Sequence, residues 1–276
     1  MRIAVTGGTG RVGRAVIAEA LAGGHQVVSL DRVEPDGAAL PAGVEYRQVD
    51  TTDHAALVAG IRGADALIHL AAYPSPHRYP DHVVHNNNVV SSYNALSAAV
   101  ELGIRRICQA SSINATGAAY SRHPRYDYLP LDERHPTYAE DPYSLSKWIC
   151  EQQGDCFARL RSDLSIASMR FHGVVQSREV AVERMQASPA LARHLWAYTR
   201  ADAAARACLV SLTAAFTGHE AFYVVAPRTM MPGHPTAGLV AEHYPDVPLR
   251  RSLRGEEGLY DCSKAERLLG WRHPED

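Results

Sequence analysis

Residues 3–13 read IAVTGGTGRVG, and the fold turns on what this stretch is. Ile3–Thr6 is a short apolar run of the kind that forms a buried strand. Gly7, Gly10 and Gly13 follow as GxxGxxG, and RAVIAEALAGG behind them spaces its apolar residues as a helix does. A strand that turns tightly into a helix brings unpaired N–H groups and the positive end of the helix dipole to one point. Glycines are needed there because the backbone must turn sharply and approach a phosphate closely. Glycines alone would fit a plain tight turn. With the strand before and the helix behind, they read as a pyrophosphate cradle whose candidate contacts are Gly7, Gly10, Arg11, Val12 and Gly13.

Outward from the cradle, short apolar runs alternate with segments of helical period. Strands are predicted at Ile3–Thr6, Gln26–Leu30, Val44–Val49, Ala66–Leu70, Arg106–Ala110, Leu164–Met169 and Ala221–Val225, with helices over 11–22, 53–61, 83–102, from Tyr143, and over 201–215. Short apolar strands separated by helices make a parallel sheet covered on both faces, the doubly wound α/β arrangement. Two stretches break the rhythm. Residues 118–142 are rich in Pro, Tyr and charge without periodicity, which suits a substrate wall. Residues 171–194, with the Pro-rich segment that begins at 227, suit a small lobe at the carboxyl edge of the sheet. One domain over 1–276 is expected, with a core of about 1–170 and 195–226 and a lobe of about 171–194 and 227–276.

Asp31 closes the second predicted strand, 18 residues beyond Gly13. An acid there can accept from both hydroxyls of an adenosine ribose and would repel a 2′-phosphate, which favours NAD over NADP. Arg32 pulls the other way, since a guanidinium there could hold that phosphate.

Composition narrows the partners. The 276 residues carry 28 Lys plus Arg against 30 Asp plus Glu, a formal charge of −2, with no block of one sign to favour nucleic acid or a membrane surface. No apolar run approaches the roughly 18 residues of a membrane span, and no export signal opens the chain. The 14 histidines are scattered and suggest no metal site. Five cysteines, odd in number and without CxxC, read as reduced thiols. A cytoplasmic protein acting on a small molecule is the expectation.

DPYSLSKW, residues 141–148, sets Tyr143 and Lys147 on one helix face. Alone, such a pair marks surface helices more often than active sites. Together with TGGTGRVG and ASSINATG (110–117), however, YSLSK resembles the extended short-chain dehydrogenase/reductase family, of NAD-dependent epimerase/dehydratase type. The resemblance runs nearly end to end, through VDTTD (49–53), HLAA (69–72), YTRADAAARA (198–207) and DCSKAERLLGW (261–271). It implies a Rossmann doubly wound sheet with a small C-terminal substrate-binding lobe. It implies Tyr143 as general acid/base, Lys147 as the cation that lowers its pKa and holds the nicotinamide ribose, and Ser112, in preference to Ser111, as partner of the substrate oxygen. Asp50, Thr51, Leu70, Ala71, Ala72, Asn88, Phe171 and His172 are the further cofactor contacts that it implies.

Departures from the family pattern shape the expected reaction. Dehydratases carry an acid pair after the catalytic serine or threonine, where this chain has Ile113 and Asn114. Epimerases follow the sixth strand with an aromatic–asparagine pair, here Phe171–His172. A compact member resembling uronate and sugar dehydrogenases fits better: an NAD-dependent oxidoreductase acting on a secondary alcohol or a sugar-like hydroxyl or hemiacetal. The alternatives are a sugar-nucleotide epimerase with tightly bound NAD and a non-catalytic dinucleotide sensor. Tyr73, Ser75, Asn114, Arg178 and Arg184 are candidate substrate contacts, with His77, Tyr120, Arg122 and His123 on the facing loops, which together predict a cationic, aromatic pocket. The resemblance also implies a homodimer through the helices near 83–102 and 143–161.

Overall fold

The structure, a computed structural model, describes residues 1–34, 41 and 43–274. Its elements run β1 (Arg2–Thr6), α1 (Arg11–Ala22), β2 (Gln26–Asp31), β3 (Glu45–Gln48), α2 (His54–Ile61), β4 (Ala66–His69), α3 (Asp81–Glu101), β5 (Arg106–Ser112), α4 (Pro142–Leu160), β6 (Ser165–Phe171), β7 (Val174–Val175), α5 (Arg178–Ala187), β8 (Thr199–Arg200), α6 (Ala201–Ser211), β9 (Gly218–Val224), α7 (Thr236–His243) and α8 (Ser263–Leu269). Seven strands form one parallel sheet in the order β3-β2-β1-β4-β5-β6-β9. The order reverses between β1 and β4, and a crevice opens outside the carboxyl ends of the strands at such a point.

The central strands β1, β4 and β6 are buried along nearly their whole length rather than at alternate residues because both faces are covered. Ile3 and Val5 pack beneath α1, α6 and α8, whereas Ala4 and Leu67 pack beneath α2, α3 and the end of α4. A third cluster gathers Val175, Ala181 and Met185 with Leu239, Val240, Leu259 and Tyr260 at the carboxyl edge. α8 and Trp271 return to the first cluster, where the Trp271 indole donates to the Ala203 carbonyl at 3.1 Å. The expected lobe segment of 227–276 therefore ends against the sheet core.

Residues 118–141 form no helix or strand, yet they are pinned. Leu129 pairs with Leu249 and Leu131 with Tyr260 in isolated bridges, so this segment and the C-terminal one brace each other. α4 starts sharply after it. The Asp141 carboxylate accepts from the backbone N–H groups of Tyr143 and Ser144 at 3.0 and 2.9 Å, and Pro142 occupies the first turn, where no N–H is missed.

Candidate active site

The cradle is built as a phosphate site requires. Gly7 sits at φ +69°, and a Cβ there would lie 2.8 Å from the Ala71 nitrogen. A Cβ on Gly13 would lie 2.2 Å from the Gly7 carbonyl oxygen, so a side chain at either position would push the loop apart. Gly8, outside the GxxGxxG pattern, is also crowded, since a Cβ there would meet the Ser29 hydroxyl at 2.1 Å, but that neighbour is a side chain and not backbone. α1 opens at Gly10 without a side-chain cap, leaving its first-turn N–H groups free for an anion.

Two adjoining cavities share this loop. The smaller, ≈ 330 Å³, is walled by Asp31, Arg32, Asp50, Thr51, Leu70, Ala71, Ala72 and Tyr73. Asp31 accepts from the Thr9 hydroxyl at 2.6 Å and its N–H at 3.2 Å. Arg32 donates to the Tyr73 hydroxyl at 2.7 Å, and Tyr73 stacks against Tyr79 with ring centroids 4.1 Å apart. The structure thus puts Tyr73 on the smaller cavity, away from the Tyr143 end. Asn88 lines neither cavity. It accepts from the Tyr73 N–H at 2.8 Å and donates to the Tyr73 carbonyl and the Ser146 hydroxyl, tying the loop after β4 to α4.

The larger cavity, ≈ 1070 Å³, is lined by Ser112, Asn114, Tyr143, Lys147, Phe171 and His172, and also by Arg11, Val12 and Gly13. The Ser112 hydroxyl lies near enough to Tyr143 to favour its ionised form. Its own oxygen accepts from the Asn114 N–H at 3.1 Å and the Asn114 amide at 3.2 Å, so its proton is left to donate forward. Ser111 instead donates to Glu151 at 2.5 Å. Lys147 donates to the Ala110 carbonyl at 2.7 Å, with its nitrogen 5.9 Å from the Tyr143 ring centroid.

The family model for NAD dependent epimerase/dehydratase proteins matches residues 3–195. The chain belongs to that family. Among curated proteins it is 30% identical to a dTDP-6-deoxy-L-talose 4-dehydrogenase (NAD(+)) of Aggregatibacter actinomycetemcomitans, over 62% of this chain and 61% of that protein. It is also 30% identical to an L-arabinose 1-dehydrogenase (NAD(P)(+)) of Haloferax volcanii, over 70% of this chain and 75% of the relative. The match thus spans about three fifths of the talose dehydrogenase's length. In fold, the chain is similar to a UDP-glucose 4-epimerase of Thermotoga maritima (TM-score 0.75, 18% identity, 100% of this chain and 94% of that one). It also superposes on a mutated uronate dehydrogenase (TM-score 0.69, 22% identity, 100% and 82%).

The family's cofactor, NAD, fits these walls. The glycine cradle and the uncapped start of α1 would take the pyrophosphate, and Asp31 stands at the end of β2 beside the smaller cavity. The electrostatics of the larger cavity differ from the sequence expectation in one respect. In the chain itself burial raises the Tyr143 pKa; the Ser112 hydroxyl opposes this, and Tyr120, Asp141 and Cys150 add to it. Burial likewise loosens the proton on Lys147, with Cys150 and Glu151 opposing. Enclosure is the reason: both groups are buried, and desolvation disfavours whichever form is charged.

Among the other expected contacts, Arg184 lines the larger cavity, but Ser75, Arg122, His123 and Arg178 do not. Arg178 is held elsewhere, its guanidinium donating to the Thr229 carbonyl and pairing with Glu256 at 2.5 Å. Among the polar lining residues, Arg14, Arg78, Arg193, His194 and Tyr198 escaped the sequence reading. Tyr120, which the sequence reading did name, lies beside them, with its ring 5.8 Å from that of Tyr143 and 5.9 Å from His194. The cluster of Arg, His and aromatic residues in ARHLWAYTR (192–200) was the available signal for Arg193, His194 and Tyr198. His172 accepts from the Gly173 N–H at 2.6 Å and donates to the His194 carbonyl at 3.2 Å; burial keeps it neutral, with His194 adding to this, so it shapes the wall rather than carrying a proton.

Proposed function

We propose that the protein is an NAD-dependent dehydrogenase that oxidises a secondary alcohol or hemiacetal hydroxyl on a small, polyhydroxylated and anionic substrate. One observation carries this reading. Ser112, Tyr143 and Lys147 lie in a cavity whose charged lining otherwise consists of Arg11, Arg14, Arg78, Arg184 and Arg193, with no Asp or Glu among its described lining residues. Such a wall favours sugars bearing a carboxylate or phosphate over bare alcohols.

NAD, when bound, supplies the hydride acceptor. Ser112 donates to the substrate oxygen, and Tyr143, as phenolate, removes its proton. Because burial raises the Tyr143 pKa, oxidation depends on added positive charge beside the phenol, from Lys147 and the oxidised cofactor. The Tyr143 hydroxyl also suits it to donate a proton in the reverse direction. Asn114, where dehydratases carry an acid, has no proton to give for water elimination.

Asp31, Arg32, Asp50 and Thr51 would face the adenosine end, and Asn114 and Arg184 the substrate. The chain functions as one domain with the lobe closing the larger cavity. A homodimer through α3 and α4 is favoured by the exposed apolar side chains of Val90, Tyr93, Leu145 and Leu160 on these two helices. A cytoplasmic setting accords with five unpaired cysteines.

A panel of aldoses, uronates, sugar phosphates and small alcohols, followed by net NADH formation, tests the reading. Turnover of an acidic sugar with stoichiometric NADH supports it. Interconversion of a sugar without net NADH would replace it with an epimerase, and better turnover of neutral aliphatic alcohols would overturn the anionic-substrate assignment.

A further inference from the structure

Beneath the cavity floor lies a buried ion pair that the reaction as described does not use. The Arg170 guanidinium donates to Glu151 through Nε at 2.9 Å and Nη2 at 2.8 Å, with side-chain exposures of 7% and 4%. The Ser111 hydroxyl completes the shell by donating to Glu151 Oε1 at 2.5 Å. A pair this enclosed costs about as much to desolvate as its attraction returns, so stability alone is a weak reason for it. Its position is more informative.

Tyr143, Lys147 and Glu151 follow one another at four-residue intervals on one face of α4. Ser111 immediately precedes Ser112 at the end of β5, and Arg170 immediately precedes Phe171 and His172 at the end of β6. Ser111 and Arg170 are register partners across these two strands. Glu151 therefore bonds to both strand ends that line the reacting cavity, from the helix that carries the acid/base tyrosine. We propose that Glu151, clamped by Arg170 and Ser111, is a positioning residue that fixes Ser112 against the Tyr143–Lys147 face of α4. This inference rests on the dehydrogenase reading above.

A second consequence concerns Lys147. The groups that face it are Tyr143, Cys150 and Glu151 on α4, the Ala110 carbonyl on β5, and His69 on β4, where burial and the lysine charge hold the imidazole neutral, down to about 3. Facing Glu151 are Lys147 and Cys150 on its own helix, Ser111 on β5, Arg170 on β6 and His219 on β9, which is itself bonded to Asp155. Glu133 and Tyr223 flank the far side of Arg170. Of all these, Glu151 is the carboxylate that supports the ammonium form of Lys147 against burial.

Glu151→Gln keeps the shape and removes the charge. Its kcat is expected to fall about tenfold to a hundredfold, the scale of a misplacement near 1 Å, with KM and NAD affinity nearly unchanged. The alkaline fall in kcat should move to lower pH, because Lys147 loses its proton sooner. Glu151→Asp, which keeps the charge and shortens the reach, should lose kcat while leaving that limb in place.

If the single variant does not fold, Glu151→Met with Arg170→Met removes both charges together and leaves none unpaired. A folded double variant with the parent kcat would overturn the proposal. So would a parent-like kcat and pH profile in Glu151→Gln, or a loss that only tracks a fall in thermal midpoint and NAD affinity. Should no substrate of the panel be oxidised, the near-ultraviolet phenolate titration of the NAD complex still decides. The component absent from Tyr143→Phe should ionise at higher pH in Glu151→Gln, and identical titrations would overturn the inference whatever the substrate is.

Discussion

Lys147 points its ammonium at the Ala110 carbonyl, 2.7 Å away, while its nitrogen stands 5.9 Å from the ring centroid of Tyr143. The lysine is therefore a fixed charge beside the phenol, tethered to β5, the strand that also carries Ser112. Tethering matters because burial acts against ionisation of both groups. A lysine free to swing into solvent would leave Tyr143 without a nearby cation.

Tyr143→Phe should therefore abolish most turnover while leaving the fold intact. The ring and its packing against Tyr120 remain, and only the titrating hydroxyl goes. A loss of at least about a hundredfold in kcat is expected, the range of general acid/base catalysis, with NAD affinity little changed in a binding titration. Near-normal turnover in the folded variant would remove Tyr143 from the acid/base role.

Cofactor choice should depend on Asp31 more than on Arg32. The carboxylate is already oriented by Thr9, whereas Arg32 is engaged with Tyr73 and would have to leave it to reach a phosphate. Asp31→Ala is expected to weaken NAD by about tenfold or more, as loss of a charged hydrogen-bond partner does, and to improve NADP relative to it. A parent protein that binds NADP more tightly than NAD in the same titration would reverse the assignment.

The helix α1 was legible to the residue, because the glycine loop before it and the GG after it leave it no freedom at either end. The seven strands of the main sheet were legible, the central ones as short apolar runs because both faces are covered, whereas the two-residue strands β7 and β8 were not. The lobe was not. α5 and α7 pack against segments distant in sequence, and nothing in a local period tells a solvated arginine from one that lines a cavity. Arg178 and Arg184 illustrate this on one helix: the first is held by Glu256 and Thr229, and the second faces the cavity. The direction of the Tyr143 pKa shift was hidden for a related reason. A sequence shows the spacing to Lys147, but burial appears only once the whole cavity is closed around them.

Arg184 tests what the cavity recognises. It is exposed on its wall, so removing its charge should not disturb the core. Arg184→Met is expected to raise KM for an anionic sugar about tenfold while kcat changes little, as loss of binding shared by ground and transition states does. Neutral sugars should show no such change. An equal rise in KM for charged and neutral substrates would mean that the side chain acts by shape and not by charge.

The buried histidines predict acid sensitivity in a window set apart from the carboxylates. Burial holds His69 down to about 3 and His194 down to about 4, both from 6.5, with Lys147 adding to the shift of His69. His172 is held well below its ordinary value by burial and His194, and His135 is also lowered by burial. Below about pH 6.5 the unfolded chain takes up protons at these positions that the folded chain refuses. Stability is thus fully present above that pH and falls as the pH falls, by up to about 1.4 kcal/mol per pH unit for each histidine fully protonated in the unfolded chain. The carboxylates held low by their partners, Asp132 and Glu256, both down to about 2, begin to lose their contribution only as the pH falls below their ordinary values of 3.8 and 4.5. The thermal midpoint should therefore drop between about pH 7 and about pH 5, before carboxylate protonation begins in earnest. His194→Gln should flatten that slope by one histidine's share. A midpoint that stays level until pH 4 would show that these imidazoles accept protons in the folded state.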